Sequence, residues 1–266
     1  MGQILFTKYH GTGNDFILID NRSRSIDTNQ VVLFAAMCHR RFGIGADGVI
    51  FLQTHQNPNY SFEMVYLNAD GRPSSMCGNG GRCIVAFAQT LDLVQYDQAF
   101  TFLAIDGEHE AVIYANDVVA LKMQDVSTIQ QHKNDYVLDT GSPHYVRFVE
   151  EYANIDVFEA GRAIRYSADF QEAGINVNFV CIKDNGLQVA TYERGVEAET
   201  YSCGTGVVAS GIAAFRATKI NQTLAIPIST KGGELMVRFQ ENSAGGFEEI
   251  WLEGPTCTVF SGVWNS

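Results

Sequence analysis

Two copies of one short phrase carry the chemistry this chain could do: Cys77-Gly78-Asn79-Gly80 and Cys203-Gly204-Thr205-Gly206. Each precedes a long apolar stretch that reads as a helix. A cysteine at a helix start ionises readily, because free N–H groups and the helix dipole stabilise its thiolate. One such cysteine suggests a nucleophile; two in matching contexts suggest a pair working from two sides. Such a pair suits inversion of a carbon next to a carboxylate. One group, deprotonated, takes the proton from one face, and the other, protonated, delivers a proton to the opposite face. A thiol fits the task, its unperturbed pKa of about 8.5 being close enough to neutrality to tune. The N–H groups at each helix start could hold the substrate carboxylate and the charge that builds on it. The glycines at 78, 80, 204 and 206 let backbone approach closely.

Other residues are candidates on position. Glu193-Arg194 lies just upstream of the second phrase. Arg194 could grip a carboxylate bidentately, and Glu193 could take an ammonium or tune a thiol. The bland alternative is a solvated pair at a strand end. His144, after Pro143, fits either a satisfied polar residue or a neighbour that adjusts a thiol. Cys38, Cys83, Cys181 and Cys257 sit in apolar patterns and read as packing residues. Cys77 and Cys83 match no common zinc spacing, and no metal site is expected. The run Gly43-Ile44-Gly45-Ala46-Asp47-Gly48 spells a dinucleotide fingerprint. That motif must follow a strand and open a helix, whereas here a helix-like stretch precedes and a strand-like one follows. It reads as a turn, and neither nicotinamide nor flavin binding is expected.

The elements that must position these residues look duplicated. The two cysteines stand 126 positions apart, and at the same offset Tyr66 falls on Tyr192 and Gly107-Glu108 on Gly233-Glu234. Helical periodicity covers residues 28 to 42, about 80 to 93, and from the second phrase to about 218. Short β-rich segments fill 4–20, 49–53, 62–68, 100–105, 111–114, 118–123, 136–139, 176–182, 187–192 and the stretch to Trp264. A helix apolar on all faces needs a surround, which a curled antiparallel sheet supplies. The expected fold is therefore α+β: two pseudo-symmetric lobes, each a curled, mainly antiparallel, barrel-like sheet around a central helix, with the helix starts facing a shared cleft. The first lobe is expected over 1–119 and the second over 120–255.

Bulk properties narrow the class. A chain of 266 residues with 46% hydrophobic and 18% charged residues describes a globular protein. A formal net charge of −12 argues against a sequence-independent grip on nucleic acid. No signal peptide and no bilayer-spanning run is visible. Six cysteines without an export signal suggest reduced thiols, and the cytoplasm is the default compartment.

The phrases taken in order resemble the diaminopimelate epimerase family over nearly the whole chain. They are His10-Gly11-Thr12-Gly13-Asn14-Asp15-Phe16, Gly43 to Gly48, Asn68-Ala69-Asp70-Gly71, Met76 to Cys83, Asn176-Val177-Asn178-Phe179, Glu193-Arg194-Gly195, and Cys203 to Gly206. The resemblance implies cofactor-independent interconversion of LL- and meso-diaminopimelate, in lysine and peptidoglycan precursor synthesis, by a homodimer. It implies Cys77 and Cys203 as acid and base. It places Asn14, Asn68, Gly78, Asn79, Asn176, Glu193, Arg194, Gly204 and Thr205 around the substrate, and gives His144 and Glu193 the task of adjusting the thiols. It returns the C-terminal segment, 256–266, to the first lobe. Two departures bear on recognition of the distal end of the substrate. The family commonly has Gly-Asn-Pro-His where this chain has Gly141-Ser142-Pro143-His144, and the stretch from Arg194 to Thr200 is one residue longer than usual. The rivals are a racemase of another amino acid on the same scaffold, a cysteine hydrolase using Cys77 with His144, and an amino-acid-binding protein with idle thiols.

Overall fold

The computed structural model describes residues 2–151, 154–183, 186–217 and 225–265. The backbone divides into two compact units, Met1–Leu121 with Gly254–Ser266, and Lys122–Glu253.

In the first unit, β1 (Gln3–Gly11) and β2 (Asn14–Asp20) form an antiparallel hairpin, and α1 (Val31–Cys38) leads to β3 (Gly48–Gln53), which lies parallel to β2. Strand β4 (Glu63–Asn68) runs antiparallel to β3. It feeds α2 (Gly78–Thr90), after which β5 (Phe100–Ala104) bridges to β4 in parallel. Strands β6 (Gly107–Ile113) and β7 (Val118–Lys122) extend the sheet antiparallel. The last strand of the chain, β17 (Cys257–Asn265), pairs antiparallel with β1.

The second unit repeats this order. Strands β8 (Ile129–His132), β9 (Asp135–Asp139) and β10 (Pro143–Val149) are antiparallel neighbours, and α3 (Val157–Arg165) leads to β11 (Asn176–Lys183), parallel to β10. Strand β12 (Gly186–Glu193) is antiparallel to β11, and a short β13 (Ala198–Thr200) folds back on it. Helix α4 (Gly204–Arg216) follows, then β14 (Ile226–Thr230), parallel to β12, and the antiparallel β15 (Gly233–Glu241) and β16 (Phe247–Pro255). Pairing for pairing, β9 to β12 match β1 to β4, and β14 to β16 match β5 to β7. The two cysteine-led helices are each 13 residues long and begin 126 positions apart. Duplication is therefore written in the topology as well as in the motifs. Among the described residues each unit's pairings run in an open order, so the sheets curl without closing into barrels.

The cores follow from the sequence patterns. In the first unit Phe34, Met37 and Cys38 of α1 pack with Ile17, Ile19, Val49 and Phe51. In the second unit Val207, Val208, Ala209, Ile212, Ala213 and Ala214 of α4 are buried among Val180, Ile228, Val237 and Leu252. A helix buried this fully draws its stability from tertiary packing, which is how α2 tolerates three glycines in its first turn.

Several features depart from the sequence expectations. The first helix is limited to Val31–Cys38, with turns on either side where periodicity ran on. Helix α3 and strands β8 and β10 were not anticipated. Cys257, expected to pack, is exposed on β17. The far end of the helix expected to reach about 218 lies outside the described residues.

Candidate active site

Cys77 is the N-cap of α2 and Cys203 the N-cap of α4, both with extended backbone (φ −98° and −115°). Neither side chain folds back to cap its helix. The first intrahelical bonds run from Gly81 N to Cys77 O (2.7 Å) and from Val207 N to Cys203 O (2.9 Å). The N–H groups of residues 78–80 and 204–206 precede those bonds, as at any helix start, and point toward the thiol end. Both thiols are partly buried, unlike Cys38, Cys83 and Cys181. Burial pushes the Cys38 thiol up to about 12 and the Cys83 thiol further still, so both stay protonated and inert.

Around Cys77 the first unit gathers Asn14 and Asn79. The thiol donates to Asn14 Oδ1 (3.5 Å), which also accepts from Asn79 Nδ2 (3.5 Å). Asn14 Nδ2 donates to Asp47 Oδ2 (2.5 Å). Gly78 is the first helical residue of α2. Close approach shapes this corner: a Cβ on Gly80 would lie 3.0 Å from Ile50 Cδ1, and one on Gly11 would lie 2.9 Å from Asn79 O. Asn68 closes β4, where its backbone N donates to Arg72 O (2.9 Å) and it stands opposite Gly48, the residue after Asp47.

Around Cys203 the second unit builds a longer chain. Thr205 Oγ1 lies 3.5 Å from Cys203 Sγ and 2.9 Å from His144 Nε2. Asn178 Nδ2 lies 3.1 Å from His144 Nδ1 and donates to Tyr145 O (3.0 Å), while Asn178 Oδ1 accepts from Thr191 Oγ1 (2.9 Å). The Tyr145 carbonyl can only accept, so the amide nitrogen faces it and therefore also faces the imidazole. His144 Nδ1 must then be the acceptor and Nε2 must carry the proton. Nε2–H donates to Thr205, whose hydroxyl proton is left to point at Cys203. Burial, aided by the Arg194 charge, depresses the His144 pKa to about 3, so the ring is neutral near pH 7. A neutral His144 thus reaches Cys203 only through the Thr205 hydroxyl. Gly206 makes room for this packing: a Cβ there would sit 2.4 Å from Asn178 Oδ1. Thr140 Oγ1 ties the helix start down by donating to Thr205 O (2.9 Å).

A third cluster lies in the same unit. Asn176 Oδ1 accepts from Arg194 N (2.9 Å), and Asn176 Nδ2 donates to Ser142 Oγ (2.8 Å) and Pro143 O (3.1 Å). The Ser142 hydroxyl is therefore an acceptor for Asn176. Arg194 donates from Nη1 to Ala173 O (3.1 Å) and is exposed; Glu193 ends β12 beside it. The stretch after Arg194 folds back as a hairpin onto β12. Glu197, at φ 58°, accepts from Gly195 N (3.1 Å) and Tyr192 Oη (3.1 Å).

Sequence reasoning missed Asn178, Thr191 and Asp47 as parts of the site. The first two stand on β11 and β12 at paired register positions, which a strand-pairing argument would expose. The Gly43–Gly48 run is a turn between α1 and β3, closed by Gly43 N to His39 O (2.8 Å) and Ile44 N to Met37 O (2.9 Å). Among the described residues no cluster of His, Cys, Asp or Glu could hold a metal ion, and no helix is long and apolar enough to cross a membrane.

The fold class comes first from solved structures. A phenazine biosynthesis protein of the PhzF family from Bacillus anthracis matches with TM-score 0.74 at 12% identity, covering 100% of both chains. A hydroxyproline epimerase from Agrobacterium vitis matches with TM-score 0.67 at 13% identity, covering 98% of this chain and 92% of that one. These likenesses define the architecture, paired α+β units that each carry a helix in a curled sheet. Sequence then defines the family. The family model described as Diaminopimelate epimerase matches residues 6–129 and 136–251. The diaminopimelate epimerase of Flavobacterium psychrophilum is 48% identical over 95% of this chain and 97% of its own. That of Chlorobaculum tepidum is 41% identical over 95% and 98%. The chain belongs to the diaminopimelate epimerase family.

Proposed function

We propose that this chain, an isomerase by its family, converts LL-2,6-diaminopimelate to the meso form in lysine and peptidoglycan precursor synthesis, without a cofactor, with Cys77 and Cys203 as acid and base. The observation that carries the reading is the matched pair of helix-capping thiols, one in each copy of a duplicated unit, within a chain of this family. In the forward step one thiolate takes the α-hydrogen as a proton. The bonding pair left on carbon delocalises into the adjacent carboxylate, where helix-start N–H groups offset the added charge. The opposite thiol then gives its proton to the other face. Each turnover leaves thiol and thiolate exchanged; proton exchange with water resets the pair before the next forward turnover, and the reverse reaction starts from the exchanged state.

The remaining roles follow the family pattern. Asn14, Asn68, Gly78, Asn79, Asn176, Glu193, Arg194, Gly204 and Thr205 hold the substrate, and His144 and Glu193 adjust the thiols. The Thr205 hydroxyl, aimed by His144 and Asn178, stabilises a thiolate at Cys203. The Asn14 carbonyl favours a protonated Cys77, which supports Cys203 as the base of the resting enzyme. Asn176, already holding Ser142 and Arg194 N, supports recognition of the distal end through Arg194 and the Ser142 hydroxyl.

The enzyme acts in the cytoplasm as a homodimer. Leu5 (71% exposed) pairs with Val263 on the β1–β17 ribbon, and Val259 and Phe260 lie exposed further along β17, an apolar row interrupted by the Thr7–Ser261 pair. Such a row suits an isologous contact with a second copy. The test of the activity is incubation of the purified protein with LL-diaminopimelate in deuterium oxide, with nothing added. Meso product carrying deuterium at one α-carbon is expected. Recovery of unlabelled LL substrate, or activity only with pyridoxal phosphate, would overturn the proposal.

A further inference from the structure

Asp47 belongs to the turn whose glycine spacing imitates a dinucleotide fingerprint, and neither cofactor nor substrate accounts for it. Its carboxylate faces the catalytic corner of the first unit. Oδ2 accepts from Asn14 Nδ2 (2.5 Å) and from Asp15 N (3.2 Å), and Oδ1 accepts from Arg40 Nη2 (2.5 Å). Behind it Asp15 pairs with Lys8 (2.6 Å) and with Arg40 (2.8 Å), so Arg40 links the two carboxylates and Lys8 holds Asp15 from the other side. A carboxylate offers only acceptors. The Asn14 amide therefore cannot flip: its nitrogen faces Asp47 and its oxygen faces Cys77. That same oxygen accepts from Asn79 Nδ2, while Asn79 Oδ1 accepts from Arg82 Nη2 (3.0 Å) and Thr12 Oγ1 (3.4 Å). Arg82 is wholly buried and donates to Gly78 O, Thr12 Oγ1 and Asn79 Oδ1. Two amides are thus strung between a buried guanidinium and a carboxylate with every dipole aligned, and Cys77 meets the central oxygen. Hydrogen bonds in such a chain polarise one another.

Resting on the acid–base role proposed for Cys77, we propose that Asp47 is a positioning residue for proton transfer at that thiol, acting through Asn14, with Arg82 anchoring the far end of the amide ladder. The competing role is purely structural, since Asp47 also pins the turn to β2 through Asp15 (Asp47 N to Asp15 O, 2.8 Å).

A double-mutant cycle on deuterium exchange into LL-diaminopimelate separates the two. Asp47→Ala should lower kcat/KM about 10- to 100-fold, mainly in kcat, because it leaves the amide free to turn. In an Asn14→Ala background the same change should cost no more than about twofold, since the group it positions is gone. Asp47→Asn keeps an acceptor toward Asn14, and the exposed Arg40 can fall back on Asp15. It should retain activity within about fivefold of the parent. An equal loss from Asp47→Ala in both backgrounds overturns the proposal. So does a folded Asp47→Asn protein as impaired as Asp47→Ala, and that arm stands even if Asp47→Ala fails to fold. Failure of the parent reading shows elsewhere: full exchange by Cys77→Ala removes the thiol's role, an outcome no Asp47 variant can produce.

Discussion

Asn178 decides what His144 can do. Because Tyr145 O fixes the amide, the imidazole presents a proton to Thr205, and Thr205 presents one to Cys203. Asn178→Asp changes one atom and reverses the chain. The carboxylate would demand a proton on Nδ1, Nε2 would become an acceptor, and the Thr205 hydroxyl would turn from the thiol toward the ring. Loss of that one hydrogen bond predicts a fall in kcat/KM on the order of tenfold. Steady-state kinetics with imidazole 15N shifts checks it; a changed tautomer with unchanged turnover would dissociate the relay from catalysis. The place of both thiols at a helix start was legible in the sequence, because Cys-Gly-x-Gly twice at one offset is a local signal. Their supports were not. Asp47 is 30 residues from Cys77, inside a motif whose glycines serve the turn: Gly43 has no room for a Cβ, which would lie 2.1 Å from Ala36 O, and Gly45 holds φ +80°. Residue types alone do not tell that the acid at the end of such a turn reaches back to a strand.

The helices carry the site by standing very close to their strands. Gly206 of α4 meets Asn178 of β11 with no space for a methyl. Gly206→Ala should push that amide aside, costing about 1–3 kcal/mol in stability by overpacking. It should impair turnover in addition, because the relay breaks. Gly211→Ala in the same helix, where the nearest atom would lie 3.6 Å away, should be tolerated. Thermal melts and kinetics of the two variants give the comparison. At this scale most elements were visible from periodicity, and the duplicated order explains why: each unit uses the same alternation of short strands and one buried helix. Helix α3 escaped because it is short and carries Gly161 in mid-course. The glycine is needed, since a Cβ there would lie 2.4 Å from Tyr192 Cβ. One signal was present. Asp156 caps the helix by accepting from Glu159 N (3.0 Å), the start of a capping-box pattern. The helix also stands where α1 stands in the first unit.

For the whole molecule, acid is the predicted weakness. His144 titrates at about 3 when folded against an ordinary 6.5, through burial first and the Arg194 charge second. As pH falls the unfolded chain takes that proton first, so stability is full above about 6.5 and is lost toward about 3, at up to ~1.4 kcal/mol per pH unit. Asp15 adds a loss at lower pH. Burial raises its pKa, but hydrogen bonds and charges from Arg40 and Lys8 outweigh this and hold it at about 2 against 3.8. Its stabilisation is present above 3.8 and disappears as pH falls toward about 2. Calorimetry should find the melting temperature falling below pH 6.5 and the upper part of that limb flattened in His144→Gln; parallel curves would remove His144 as the cause. Assembly has its own check. Val263→Arg, on the apolar row of the β1–β17 ribbon, should shift sedimentation toward a monomer, and an unchanged dimer would place the contact elsewhere.

The central claim is that two thiols share one carbon. It is tested most directly by comparing Cys77→Ala and Cys203→Ala with the parent for conversion of LL-diaminopimelate to the meso form in deuterium oxide. Both folded variants should lose epimerisation by at least about 10²-fold, the scale of a missing acid or base. Undiminished conversion by either one would contradict the account.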